Sequence, residues 1–139
     1  MLRQDDYQRA KLVDIMWQYG KEYGGHHAAC MIGSCIMNRV RAGWNSNILE
    51  AISKLDKYAA TTEIPEYTVP SMWDPSFMRI LTEVGPIAEG LKDHCNGATY
   101  WCDTRRINTP FFKDKILKDP IYKRVAEMNS LAFFKIKAD

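Results

Sequence analysis

Lys11–Val40, KLVDIMWQYGKEYGGHHAACMIGSCIMNRV, decides the fold. Two apolar segments flank Gly24-Gly25, and one acidic residue, Glu22, sits at the joint. Before the joint, Leu12, Val13, Ile15, Met16, Trp17 and Tyr19 are too dense for a one-sided surface helix, which predicts a helix lying in the core. After it, Ala28, Met31, Ile32, Cys35, Ile36 and Val40 recur at helical spacing and form an apolar stripe on a second helix. Glycine ends helices in left-handed geometry and costs about 1 kcal/mol inside one, so Gly24 and Gly25 mark the break. Glu22 is thereby placed in the last turn of an apolar helix, where the helix dipole and low polarity both disfavour an ionised carboxylate. A raised pKa is what a general acid needs. A solvated glutamate at a fraying helix end is the plainer alternative on these residues alone.

Working outward, the chain of 139 residues fits one domain spanning 1–139, large enough to bury a core without staples. Its 46% apolar and 26% charged residues are those of an ordinary globular protein. A formal net charge of +2 and a pI near 8.3 fall short of the basic footprint of a dedicated nucleic-acid binder. Cys30, Cys35, Cys95 and Cys102 form no close CxxC pair, so free thiols in a reducing compartment are expected. No signal peptide or membrane span is visible at the start or elsewhere.

The first helix is predicted from Asp5 to Tyr23 and the second from Gly25 to Arg41. A third runs over Asn45–Ala60, opening on the cap-type Asn-Ser-Asn and placing Ile48, Ile52, Leu55 and Ala59 on one face. Thr61–Ser71, with two prolines and several β-branched residues, reads as extended or irregular. Asp74-Pro75 is a helix start, and Phe77, Ile80, Leu81, Val84, Ile87, Ala88 and Leu91 form a regular stripe, with Pro86 predicting a kink or two short helices. Asn96-Gly97 signals a turn before a strand, Ala98–Cys102, and Leu131–Ile136 reads as a second strand able to pair with it. Between them Pro110-Phe111-Phe112 precedes a helix predicted from Asp119-Pro120 to Met128.

A glutamate closing the first helix, a second helix ending in Met37-Asn38-Arg39-Val40, then Asn96-Gly97-Ala98-Thr99-Tyr100-Trp101 and Pro110-Phe111-Phe112 make a recognisable order. It resembles the spore-cortex-lytic (SleB-like) type of cell wall hydrolase. In that family a Glu-Ala-Arg-Gly-Glu segment precedes a helix ending in Leu-Asn-Arg-Val, and a Gly-Ala-x-Tyr-Phe strand follows much later. Ser130-Leu131-Ala132-Phe133-Phe134-Lys135 looks like the family's last strand, so the resemblance runs from about Leu12 to Phe134. The chain also departs from the pattern. Tyr23-Gly24-Gly25 follows Glu22 in place of Ala-Arg-Gly-Glu, the interval from Glu22 to Asn38 is shorter, and Pro70-Ser71-Met72-Trp73 stands roughly where a Gln-Phe-Ser segment is expected.

The resemblance implies an α+β, predominantly α fold, a lysozyme-like helical domain with a small antiparallel sheet. It also implies cleavage of the β-1,4 bond between N-acetylmuramic acid and N-acetylglucosamine in peptidoglycan, by a lytic transglycosylase or muramidase without a cofactor. Glu22 would be the catalytic acid and base, and Tyr100, in the Gly-Ala-x-Tyr motif, a hydroxyl facing the sugar; a strand tyrosine packed in the core is the alternative. Thr99 and Trp101 should face oppositely to Tyr100, and with Tyr67 and Trp73 they are the candidate substrate-binding residues, Trp44 being a further aromatic able to stack on sugars. Asn38 is expected to hold the polar end of the second helix. Glu63, Glu66 and Asp74 are the candidates for a second carboxylate, which an inverting hydrolase needs and a transglycosylase does not.

Other chemistries are weaker on this sequence. His26, His27, Cys30 and Cys35 lack the spacing of a closed zinc site, and no motif supports a Cys-His pair using His27 or His94 with Cys30 or Cys95; no metal is expected. An inactive lysozyme-like binding or structural module, for example of a phage particle, is the competing reading. A helical nucleic-acid-binding domain would need Arg39, Arg41, Lys54, Lys57, Arg105 and Arg106 on one face. The expected partner is the peptidoglycan glycan strand, met by a monomer that stays cytoplasmic until released to the wall, as an endolysin is, or that travels with a virion.

Overall fold

The computed structural model describes residues 4–55, 64–105 and 118–136. Four helices among them are α1 (Gln4–Tyr23), α2 (His26–Arg41), α3 (Ile48–Ser53) and α4 (Pro75–Ala88), followed by strands β1 (Tyr100–Asp103), β2 (Tyr122–Met128) and β3 (Leu131–Ile136). The protein is α+β and predominantly helical, with one small antiparallel sheet. No helix among the described residues is long and apolar enough to cross a membrane.

The glycine joint forms as its residues dictate. Gly24 and Gly25 take φ of 104° and 118°, which L side chains avoid, and the Gly25 amide donates to the Gly20 carbonyl at 2.7 Å. This turns α2 back along α1. Small residues then set how closely the helices approach. A Cβ on Gly20 would lie 2.9 Å from the Gly25 oxygen and 3.0 Å from the Ala29 Cβ, and one on Gly33 would lie 2.7 Å from Met16 Sδ. As expected, α1 sits in the core through Leu12, Ile15, Met16, Trp17 and Tyr19. α2 exceeds the one-sided stripe read from its sequence: every residue from Ala28 to Arg39 is buried, because α1, α4, α3 and β1 all pack on it.

α3 is capped by Asn47, whose side chain accepts from the Glu50 amide at 2.9 Å. The helix predicted to run on to Ala60 instead ends at Ser53, where Lys54 leaves helical geometry as the C-cap; residues 56–60 lie outside the described residues, as do Glu63, Arg106 and Pro110-Phe111-Phe112. α4 starts at the expected place. The Asp74 carboxylate accepts from the amides of Ser76 at 2.8 Å and Phe77 at 3.2 Å, and Pro75 occupies the first turn, where no amide is missed. Phe77, Ile80, Val84 and Ile87 face the core, Phe77 edge-on to Trp17 with centroids 5.4 Å apart. Leu81 and Leu91, placed on the same stripe from sequence, are exposed. α4 also runs through Pro86 as one helix, because only Ile87 and Ala88 come after it and the break falls where the helix ends anyway.

The sheet corrects one prediction outright. The segment read as a helix from Asp119-Pro120 to Met128 is strand β2. Asp119 does act as a cap, but of a turn: its side chain accepts from the Ile121 amide at 3.0 Å and its carbonyl from Tyr122 at 3.1 Å, closing the chain around Pro120. The chain then pairs along β3 from Tyr122↔Ile136 to Met128↔Leu131, with a bulge between Arg124 and Ala126. Asn129, at φ 53°, lets the two-residue turn to Leu131 form. β3 is therefore central, in the order β1-β3-β2, where the sequence leads one to expect two strands alone. Leu131, Phe133 and Trp101 belong to the main core, whereas Tyr100, Cys102, Ala132 and Phe134 form a second cluster on the other face with Trp44 and Tyr122.

Candidate active site

Glu22 occupies the last turn of α1, and its side chain is exposed. The apolar enclosure read from the neighbouring sequence is therefore missing: Tyr19 and Tyr23 point inward, and the residue between them on the helix faces out. What is fixed is the backbone beneath it. The Tyr23 hydroxyl donates to Asp103 Oδ2 at 2.9 Å, and Asn129 Nδ2 donates to the Tyr23 carbonyl at 2.9 Å. Burial alone would raise the carboxyl pKa of Asp103. Hydrogen bonds from the Arg105 amide, the Tyr23 hydroxyl and the Arg105 side chain outweigh it and hold the group below the usual aspartate range. A charged hydrogen-bond acceptor with no solvent exposure thus ties the Glu22 turn to the end of β1.

Beside that turn lies a cleft of about 260 Å³ lined by Trp17, Gly20, Lys21, Gly24, Gly25, Asp74, Ser76 and Ile80. The extended segment before Asp74 is laid along α1 by three hydrogen bonds: Trp17 Nε1 to the Thr68 carbonyl at 2.8 Å, Gln18 Nε2 to the Pro65 carbonyl at 2.7 Å, and Lys21 Nζ to Thr68 Oγ1 at 2.6 Å. Tyr67 and Trp73 ride on this segment at 46% and 92% exposure, so both present rings to solvent beside the cleft. Asp74 lines the cleft itself, with one carboxylate oxygen committed to capping α4. Glu66 is exposed on the same segment.

The strand residues picked from sequence are elsewhere. Trp101 is 1% exposed, its ring edge-on to Tyr19 at 5.8 Å and covered by the Arg39 guanidinium at 4.5 Å, which leaves no face for a sugar. The backbone oxygen of Thr99 accepts from Arg39 Nε at 2.6 Å. Tyr100 does face away from Trp101, as the pleat requires, but this turns it from α1 into the second cluster, between Trp44 at 4.9 Å and Tyr122 at 5.4 Å. Sheet geometry therefore separates Tyr100 from Glu22. Asn38 is structural as read: its side chain donates to the Ala98 carbonyl at 2.9 Å and to Asp93 at 3.3 Å, joining α2 to the turn before β1.

The competing chemistries find little support. Burial, with Glu83 adding to it, pushes the Cys30 thiol up to about 11, and burial pushes Cys102 up to about 11 as well. Cys95 is raised by its hydrogen bond with Cys35 and by burial. None of these three is a ready thiolate. Among the described residues no group of three His, Cys, Asp or Glu side chains is arranged to hold a metal. Of the cations a nucleic-acid face would need, Arg39 is fully buried, Lys54 pairs with Glu50 at 3.1 Å, and Arg105 lies 3.5 Å from Asp103. Comparison of the chain with protein-family models, curated proteins and solved structures finds no significant match. The motif order and this geometry are therefore what speak for a function.

Sequence reasoning missed Asp103 and the burial of Arg39. No local pattern announces a buried aspartate at a strand end. For Arg39 the signal was present, since it follows Asn38 at the end of an apolar helix and two tryptophans, Trp44 and Trp101, were available to sandwich it.

Proposed function

We propose that the protein cleaves the glycan strand of peptidoglycan, acting as a lytic transglycosylase or muramidase with Glu22 as general acid and base. What supports this reading is an exposed carboxyl group on an anchored helix turn whose neighbours Lys21 and Gly24 line a cleft, with two solvent-facing aromatic rings on the segment that leads to Asp74 at its edge; Glu22 itself is not among the lining residues. Rings such as Trp73 and Tyr67 suit the apolar faces of sugars, and an exposed carboxyl on an anchored backbone suits proton transfer to a glycosidic oxygen.

In the reaction, Glu22 gives its proton to the leaving oxygen as the glycosidic bond breaks toward an oxocarbenium-like centre. The muramic acid C6 hydroxyl then attacks the anomeric carbon and returns its proton to the Glu22 carboxylate, leaving a 1,6-anhydro product and a regenerated acid. This route needs a single carboxyl group. We prefer it to hydrolysis because Asp74, the carboxylate lining the cleft, already caps α4. The enzyme would meet its substrate after release from the cytoplasm or from a virion.

The deciding experiment is digestion of purified peptidoglycan by the wild type and by Glu22→Gln, with mass spectrometry of the released muropeptides. Anhydro-muropeptides from the wild type alone are the expected result. Reducing-end muramic products would mean hydrolysis and direct attention to Asp74. No release by the folded wild type from several wall types would replace the enzyme with an inert lysozyme-like binding module.

A further inference from the structure

The far end of α2 carries a second cleft that the proposed chemistry does not use. Its volume is about 570 Å³, and its lining includes Asn38, Arg41, Trp44, Gly97, Thr99 and Lys135. At 1.5 Å per residue the 16 residues of α2 set it roughly 24 Å from the Glu22 turn.

Its charges are unusual for a surface hollow. No ion pair among the described residues uses Arg41 or Lys135, although both border the cleft. Arg41 donates instead to the neutral side-chain oxygen of Asn38. Lys135 stands directly across the ladder from Lys123, a like-charge pair that destabilises a sheet unless something neutralises it. Asp93, hydrogen-bonded to the lining residues Asn38 and Gly97, is engaged by the amides of Cys95 at 2.9 Å and Gly97 at 2.8 Å and by the Asn38 side chain. Burial disfavours its charge, but these donors overcome that and keep it ionised. Among the described residues the lining therefore holds two cations, Arg41 and Lys135, and no acid, which suits an anionic ligand. Gly97, at φ 84°, has no side chain to fill the floor, and a Cβ there would meet Lys135 Cδ at 3.7 Å.

We infer that this cleft holds a carboxylate of the peptide stems carried by the glycan strand, with Arg41 and Lys135 as its cationic partners. The inference rests on the proposed substrate and deepens it: the polymer is gripped at one end of α2 while Glu22 works at the other. Two linked contacts raise the residence of a long strand without a new contact at the reacting bond.

The test is titration of the full chain with N-acetylmuramyl-L-alanyl-D-isoglutamine, followed by backbone amide NMR. The amides of Gly97, Thr99 and Lys135 should shift. Affinity should fall about tenfold or more when the ligand's carboxylate is capped as an amide, and by a similar factor in Arg41→Ala/Lys135→Ala. Lys135→Gln alone serves if the double variant does not fold. Equal binding of the capped ligand, an unaffected variant, or shifts produced by inorganic phosphate and not by the muramyl peptide would each overturn the inference. The two readings fail separately. Muropeptide release without stem binding removes only this cleft's role, and stem binding without release removes only the catalysis.

Discussion

Replacing Tyr23 by Phe removes one oxygen and nothing else from the core, yet it should cost the protein more than most surface changes. That oxygen lies 2.9 Å from Asp103 Oδ2, Tyr23 is 3% exposed, and Asp103 is fully enclosed. The variant leaves a buried carboxylate short of a donor, for which mutational experience gives about 1.5–3 kcal/mol when the acceptor is charged. Taking about 2 kcal/mol, the thermal midpoint of a domain this size should fall by roughly 6–10 °C. The pH dependence gives a second handle. The Asp103 pKa is lowered by folding, so its contribution is present above the ordinary aspartate value near 4 and is lost as pH falls through the lower folded value. The gap between wild type and Tyr23→Phe should therefore be full at pH 7 and narrow below about pH 4. Urea denaturation of both proteins at several pH values measures this. A gap below about 0.5 kcal/mol at pH 7, or one that persists unchanged into acid, would refute the assigned hydrogen bond.

Gly20→Ala should destabilise by about 1–3 kcal/mol, despite alanine's better helix propensity, since its Cβ meets the Gly25 carbonyl oxygen at 2.9 Å and a backbone atom cannot rotate aside; a stabilised variant in urea would contradict this. Trp73→Ala, at a residue 92% exposed, should change stability by less than about 0.5 kcal/mol while weakening pelleting with peptidoglycan. Trp101→Ala should do the reverse, losing about 3–5 kcal/mol because the ring is core; equal folding stability of these two tryptophan variants would sink the assignment of their roles. All four cysteines are buried, so Ellman's reagent at pH 8 should react slowly with the native protein and rapidly with all of them in denaturant. Fast reaction of a native thiol would show that the core around that cysteine opens.

Local signals located most helices: the double glycine, the Asn47 and Asp74 caps and the apolar spacing of α4 each describe interactions within a few residues. The strand β2 was not legible, because Tyr122–Met128 becomes a strand through its partner β3, and the Asp119-Pro120 signal serves a turn as well as a helix. The same distinction governs the site. Trp73 and Tyr67 could be nominated from their loop, whereas Trp101 reads as a substrate contact from sequence and is core in the structure, because the pairing of β1 turns it inward. Asp103 makes its decisive contact 80 residues away in sequence, where no local pattern reaches.

That separation orders events when the chain is made. α1 and α2 adjoin in sequence and can pack as soon as both are synthesised, since closing the glycine joint costs little entropy. The ties that hold the Glu22 turn arrive late: Asp103 spans 80 residues back to Tyr23, and Asn129 spans 106. A nascent chain halted before β1 would own the helical hairpin without either anchor. The residue proposed to act as the acid is thus synthesised well before the contacts that lock its turn in place.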